Sequence, residues 1–139
     1  MAGQLTLRII TPDRIALDTQ ADSVRVPALD GSMGFLPRHA NLVAALDVGV
    51  LSWRAAGQEH TIFVSGGFVE VREATVRVVT EAGERPKEID VERAREAEQR
   101  ARERLEQGGD LPVAVDLLRA ELALRRAQVR LKMASQPRL

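Results

Sequence analysis

The hydrophobic period changes once along this 139-residue chain, near residue 88, and that change limits the fold more than any other feature. Before it, short β-prone runs are interrupted by turn residues roughly every eight to twelve positions, the spacing of a sandwich or barrel. Strands are expected over 5–10, 14–18, 23–27, 32–35, 41–46, 49–55, 60–64, 67–72 and 75–80. Alternation is clearest in the last, where Val76, Val78 and Thr80 share one face and Thr75, Arg77 and Val79 the other. Ala56-Gly57 and the corner Arg72-Glu73-Ala74 fit hairpin turns.

Pro86 and the charged stretch 81–88 read as a hinge, after which β-branched residues thin out and helical spacing begins. Asp90 is placed to cap a helix with Arg93 and Ala94 in its first turn, and Ala94, Ala97, Ala101 and Leu105 recur at steps of three and four. Gly108-Gly109-Asp110 closes that helix, and Pro112 is tolerated at the start of a second over about 113–133. Leu117, Ala120, Leu124, Ala127 and Leu131 form its matching stripe, flanked by Leu118, Leu122 and Val129. Two helices joined this closely pack antiparallel. At roughly 25 cal/mol per Å² of apolar surface, alanine against leucine gives a weak seam, so the hairpin depends on what it docks against. The expected fold is therefore a β-sandwich N-terminal domain followed by a C-terminal antiparallel two-helix hairpin. Its expected divisions are 1–84 for the sandwich, 85–89 for the hinge and 90–139 for the hairpin.

Composition excludes several chemistries. A hydrophobic share of 45% supports one medium domain or a small domain with an appendage. Aromatic residues make up 3%, with Trp53 the single tryptophan and no tyrosine, which leaves little surface for stacking sugars or bases. The absence of cysteine removes disulfides, thiolate metal sites and cysteine nucleophiles. With no basic and apolar leader and no long apolar run, a soluble protein that works where it is made is expected.

The net charge of zero conceals an asymmetry. Residues 1–89 carry nine basic and eleven acidic side chains, whereas residues 112–139 carry six basic against Asp116 and Glu121. Arg119, Arg126 and Arg130 share a helical face that Arg125 and Lys132 border. Such a face suits an acidic protein surface or a phosphate, and a plain solvated face is the alternative. Nucleic acid fits less well, because the rest of the chain is slightly acidic and offers no interleaved aromatics.

No catalytic constellation is evident. His39 and His60 lie in separate regions outside any metal-binding spacing, which favours structural or interface roles. Ser65-Gly66-Gly67 runs from strand to strand without an adjacent lysine, so a tight hairpin with positive φ is expected there rather than a phosphate cradle. Gly31-Ser32-Met33-Gly34 lacks the serine placement of a nucleophile elbow.

Four segments together resemble one family, the epsilon subunit of bacterial and chloroplast F-type rotary ATP synthases. They are G-S-M-G-F-L-P-R-H-A over 31–40, L-D-V-G-V-L over 46–51, V-S-G-G-F-V-E-V over 64–71 and I-D-V-E-R-A over 89–94. The resemblance spans roughly 4–132 and follows the same order of parts, sandwich then helical hairpin. It implies a non-catalytic rotor part of the central stalk, which couples proton translocation to ATP synthesis. The sandwich would rest on the c-ring and against the gamma subunit, with Ser32, Met33, Gly34, Phe35 and His39 as the c-ring contact. The helices would either fold down or extend, and in the extended form Arg119, Arg125, Arg126, Arg130 and Lys132 would meet an acidic segment of a catalytic beta subunit and oppose ATP hydrolysis. No cofactor is required. Some relatives bind ATP on the folded hairpin, which would place Ile89, Asp90, Arg93, Ala94, Arg126 and Arg130 at a regulatory nucleotide site. An ATP-sensing binding module is accordingly the second expectation. The implied location is the cytoplasmic side of a bacterial inner membrane, or the stromal side of a thylakoid, with membrane association only through the complex.

Overall fold

The computed structural model describes residues 3–107 and 114–136. The chain separates into two compact units, Met1–Arg85 and Pro86–Leu139.

Among the described residues, the first unit contains β1 (Leu5–Ile10), β2 (Ile15–Ala21), β3 (Ser23–Ala28), β4 (Gly31–Phe35), β5 (Leu42–Ala55), β6 (Gln58–Arg72), β7 (Thr75–Val79) and β8 (Gly83–Glu84). They hydrogen-bond in the order β2-β1-β7-β6-β5-β3-β4, with β8 added to β6. The pair β1 and β7 is parallel, and the other pairs are antiparallel. The sheet folds over itself, so that β1 meets β3 and β2 meets β5 without hydrogen-bonding to them. Leu5, Leu7 and Ile9 of β1 fill the space between these layers with Val24, Val26, Phe35, Leu51, Trp53, Ile62, Val69 and Val76.

Two sequence expectations are corrected here. The runs 41–46 and 49–55 are one continuous strand, β5, and 60–64 and 67–72 are likewise one strand, β6. Their inward residues change parity, from Leu46 to Leu51 on β5 and from Ile62 and Val64 to Val69 and Val71 on β6. This shift in buried parity within each strand reads in sequence as a break. Gly66 and Gly67, each at φ 97°, provide it on β6. The expected positive φ is present, but it bends a strand and does not close a hairpin. The hairpin turns lie elsewhere, at Ala56-Gly57 (φ 53° and 76°) and Glu73-Ala74 (φ 49° and 63°), where paired positive φ matches the strand twist.

Within the second unit a 3₁₀ turn (Pro86–Glu88) precedes α1 (Val91–Glu106), and α2 is Ala114–Ser135. The Asp90 carboxylate caps α1, accepting from the Arg93 backbone N–H at 3.1 Å. The helices pack on Ala94 and Ala101 of α1 and on Ala120 and Ala127 of α2, all buried. Their short connection makes them antiparallel. The leucines that flank this seam stay outside it: Leu118 is 55% exposed and Leu122 38%. The expected helix stop at Gly108-Gly109-Asp110 and the role of Pro112 lie outside the described residues.

Candidate functional site

Three surfaces carry the side chains singled out by sequence. The first follows edge strand β4. Arg25 on β3 donates to the Ser32 hydroxyl at 3.1 Å and lies where a side chain at position 34 would crowd it. Phe35 is 1% exposed and belongs to the core, so it shapes this loop from below and is not available for surface contact. Met33 is half-buried against the same core. Ser32 and Gly34 are exposed, as are Leu36, at 64% exposure, and Arg38. A backbone bond of 2.9 Å from the His39 N–H to the Leu36 carbonyl closes the turn. The His39 ring meets Phe35 edge-on at 5.0 Å, and its Nδ1 donates to the Ala40 carbonyl at 2.7 Å.

Beside that loop lies an open groove of about 470 Å³, lined in part by Arg25, Phe35, Leu36, Trp53, Arg54 and Glu59. Sequence reasoning missed it, because its walls come from four strands, β3 to β6, that only the folded sheet brings together. The one signal was Trp53, the lone tryptophan, followed directly by an arginine.

The second surface is α1. Its outward face pairs with itself: Arg95 with Glu92 at 3.0 Å, Arg102 with Glu98 at 3.3 Å, and Gln99 with Glu103 at 3.0 Å. Exposed pairs of this kind contribute only about 0.2–0.5 kcal/mol each, but together they support a helix with a narrow apolar stripe. Asp90 and Arg93 are exposed at its start, whereas Ile89 and Ala94 are buried. Of the expected nucleotide residues, Ile89 and Ala94 therefore offer packing and not a ligand contact, and Asp90 already uses one carboxylate oxygen as the cap.

The third surface is α2. Arg126 and Arg130 flank the seam and are partly buried, while Arg119, Arg125 and Lys132 are exposed. Helical spacing of four and three aligns the exposed Leu118 and Leu122 with Arg125, and Lys132 follows seven residues on. The outward side of α2 is thus both basic and apolar.

His60 stacks on Trp53, which lines the groove beside the first surface, at 5.2 Å with 22° between the rings. Among the described residues, no three His, Cys, Asp or Glu side chains gather as a metal site. No described helix is long and apolar enough to cross a membrane.

The fold defines a two-part class, a β-sandwich followed by a two-helix unit, with exposed charged side chains on an edge loop and on the helix faces. The beta-sandwich domain of the ATP synthase delta/epsilon chain matches residues 4–86, and the long alpha-helix domain of that chain matches 87–135. The chain belongs to the ATP synthase epsilon-chain family, of the bacterial type.

It is 45% identical over 107 residues to the ATP synthase epsilon chain of Nitratidesulfovibrio vulgaris (strain DP4), covering 77% of this chain and 80% of the relative. The epsilon chain of Symbiobacterium thermophilum is 49% identical over 104 residues, 74% of this chain and 75% of the relative. Among solved structures, a chain of the Euglena gracilis mitochondrial ATP synthase, OSCP/F1/c-ring, superposes with a TM-score of 0.76 at 25% identity. That match covers 96% of this chain and 82% of the other.

Proposed function

We propose that the chain is a non-catalytic subunit of the central stalk of a rotary ATP synthase, coupling proton translocation to ATP synthesis and restraining ATP hydrolysis. The observation that carries this reading is that both units, in order, match the two domains of one ATP synthase chain. The sandwich rests on the c-ring and the gamma subunit, with Ser32, Met33, Gly34 and His39 as the c-ring contact beside the exposed Leu36 and Arg38. The 25% identical chain from an ATP synthase OSCP/F1/c-ring assembly supports that assignment of partners. The subunit is peripheral, held by the complex at the cytoplasmic side of a bacterial inner membrane, or at the stromal side of a thylakoid in a plastid.

Restraint of hydrolysis falls to the helical unit. Its small alanine seam separates readily, and α2 then presents Arg119, Arg125 and Lys132 with Leu118 and Leu122 to an acidic segment of a catalytic beta subunit. The test is deletion of 88–139 in the assembled complex. The truncated chain is expected to assemble through its sandwich while ATP hydrolysis rises. Unchanged hydrolysis removes the restraining role, and failure to co-purify with gamma removes the stalk assignment.

ATP as a regulatory ligand of the helical unit is the second reading, favoured by Arg93, Arg126 and Arg130 belonging to paired helices of one unit. Calorimetric titration of the whole chain decides it: silence at millimolar ATP rules the site out, and heat that Arg93→Ala abolishes supports it.

A further inference from the structure

The sandwich releases the chain through a firmly held segment. Thr80 is buried, and its hydroxyl accepts from the Ser65 N–H at 3.1 Å and reaches the Ala82 carbonyl at 3.3 Å. The Ala82 N–H donates to the Ser65 hydroxyl at 2.8 Å. Gly83 and Glu84 then pair with Val64 and Phe63 of β6, and Arg14 donates to the Gly83 carbonyl at 3.0 Å. The stretch expected to be part of a hinge is thus hydrogen-bonded into the sheet as far as Glu84.

Arg85 is the last residue of the first unit, and its guanidinium carbon lies 5.0 Å from the centroid of the Trp53 ring. Trp53 is 4% exposed, its backbone is paired with Val24 on β3 and His60 on β6, and the His60 ring stacks on it at 5.2 Å. A guanidinium over a buried indole is attracted by the negative face of the ring, and the attraction strengthens where water is excluded. Pro86 follows at once and opens the 3₁₀ turn.

We propose that Arg85 seated on Trp53 is a latch that ends the sandwich rigidly, so that movement of the helical unit starts within Pro86–Glu88 and no earlier. Without the latch, the fixed point retreats to β8 and the torsions of residue 85 join the hinge. The hold on Trp53 therefore sets how freely the helical unit leaves its resting arrangement. The latch is a property of the sandwich alone. Its regulatory consequence rests on the function proposed above.

Hydrogen exchange on the full chain, with Trp53 emission as a second probe, tests the latch. Arg85→Ala is expected to speed amide exchange at residues 84–88 by about fivefold or more, with exchange at Ile62, Val64 and Val76 unchanged. Arg85→Lys falls between the two, because an ammonium keeps the charge and loses the planar stack. It also carries the comparison if Arg85→Ala does not fold. Wild-type exchange at 84–88 overturns the latch, and so does acceleration that spreads equally into the core. In the assembled complex, Arg85→Ala is expected to change ATP hydrolysis by about twofold or more, and to have no effect once 88–139 is deleted. Faster exchange with hydrolysis indifferent to both changes supports the latch and removes the proposed restraint of hydrolysis. Faster exchange with hydrolysis sensitive to the deletion but not to Arg85→Ala overturns the regulatory consequence.

Discussion

Gly67 on β6 lies so close to Val79 on β7 that a β-carbon at position 67 would overlap the Val79 carbonyl oxygen. This contact sits where β6 crosses from one layer of the sandwich to the other, and φ at Gly67 is 97°. Space and backbone geometry both require glycine there. Gly66 has the same φ, but a β-carbon would meet only the Leu46 carbonyl at 3.6 Å, an ordinary contact.

The two glycines are therefore expected to respond unequally. Gly67→Ala should cost about 3 kcal/mol or more, because strain and overlap add. Gly66→Ala should cost about 1–2 kcal/mol from the left-handed backbone alone. Urea denaturation followed by Trp53 emission measures both, and equal losses would mean that the approach to Val79 has no consequence of its own.

That crossing also shows what was legible in the sequence. The need for positive φ was visible in the glycine pair, and the β-to-α change near residue 88 was visible in the periodicity, since both are local. Whether the chain turns back or bends through at Gly66-Gly67 depends on Val79 and Leu46, which are distant in sequence, and so a hairpin was expected. The strand at Gly83–Glu84 went unseen for a related reason: two residues have no period, and only their partners on β6 define them. At the candidate site, Asp90 was recognisable as a cap from its position, whereas burial of Phe35, Ile89 and Ala94 follows from packing that spacing alone does not encode. The groove beside Trp53 depends on four strands meeting.

Thr80 tests how the chain leaves the sheet. Thr80→Val keeps the shape but removes the hydroxyl that accepts the Ser65 N–H, which is left with only its longer bond of 3.3 Å to the Ala82 carbonyl. A loss of about 0.5–1.5 kcal/mol is expected, with faster amide exchange at Ser65 and Ala82. Thr80→Ser, which retains the hydroxyl, should recover most of the exchange protection. If valine were neutral, the hydroxyl network would not be what holds the segment after β7.

Asp90 separates capping from charge. Asp90→Ala removes the acceptor for the Arg93 N–H and should destabilise the helical unit by about 1 kcal/mol, seen as faster exchange in the first turn of α1. Asn caps about as well as Asp, so Asp90→Asn should exchange like the native chain. Should Asn behave like Ala, the negative charge at the helix start would be the stabilising element instead. Neither substitution is expected to move the Trp53 transition, because Trp53 belongs to the other unit.

Ala127 decides whether the closeness of the two helices matters. It is 1% exposed, and with Ala120 it faces the stripe of Ala94 and Ala101, so the seam is made of the smallest side chains that still favour helix. Ala127→Leu adds three heavy atoms where the helices touch, which should cost about 1–3 kcal/mol in the packed helical unit. The cost falls on the paired form, since leucine is well tolerated in a helix that stands alone. Far-ultraviolet dichroism should therefore remain close to native while exchange across α2 speeds up, and urea unfolding read at Trp53 should not shift. In the assembled complex the same substitution favours separated helices, and ATP hydrolysis should fall below that of the native complex if the extended form opposes it. A rise in hydrolysis would assign the restraint to the paired form and reverse the proposed direction of the switch.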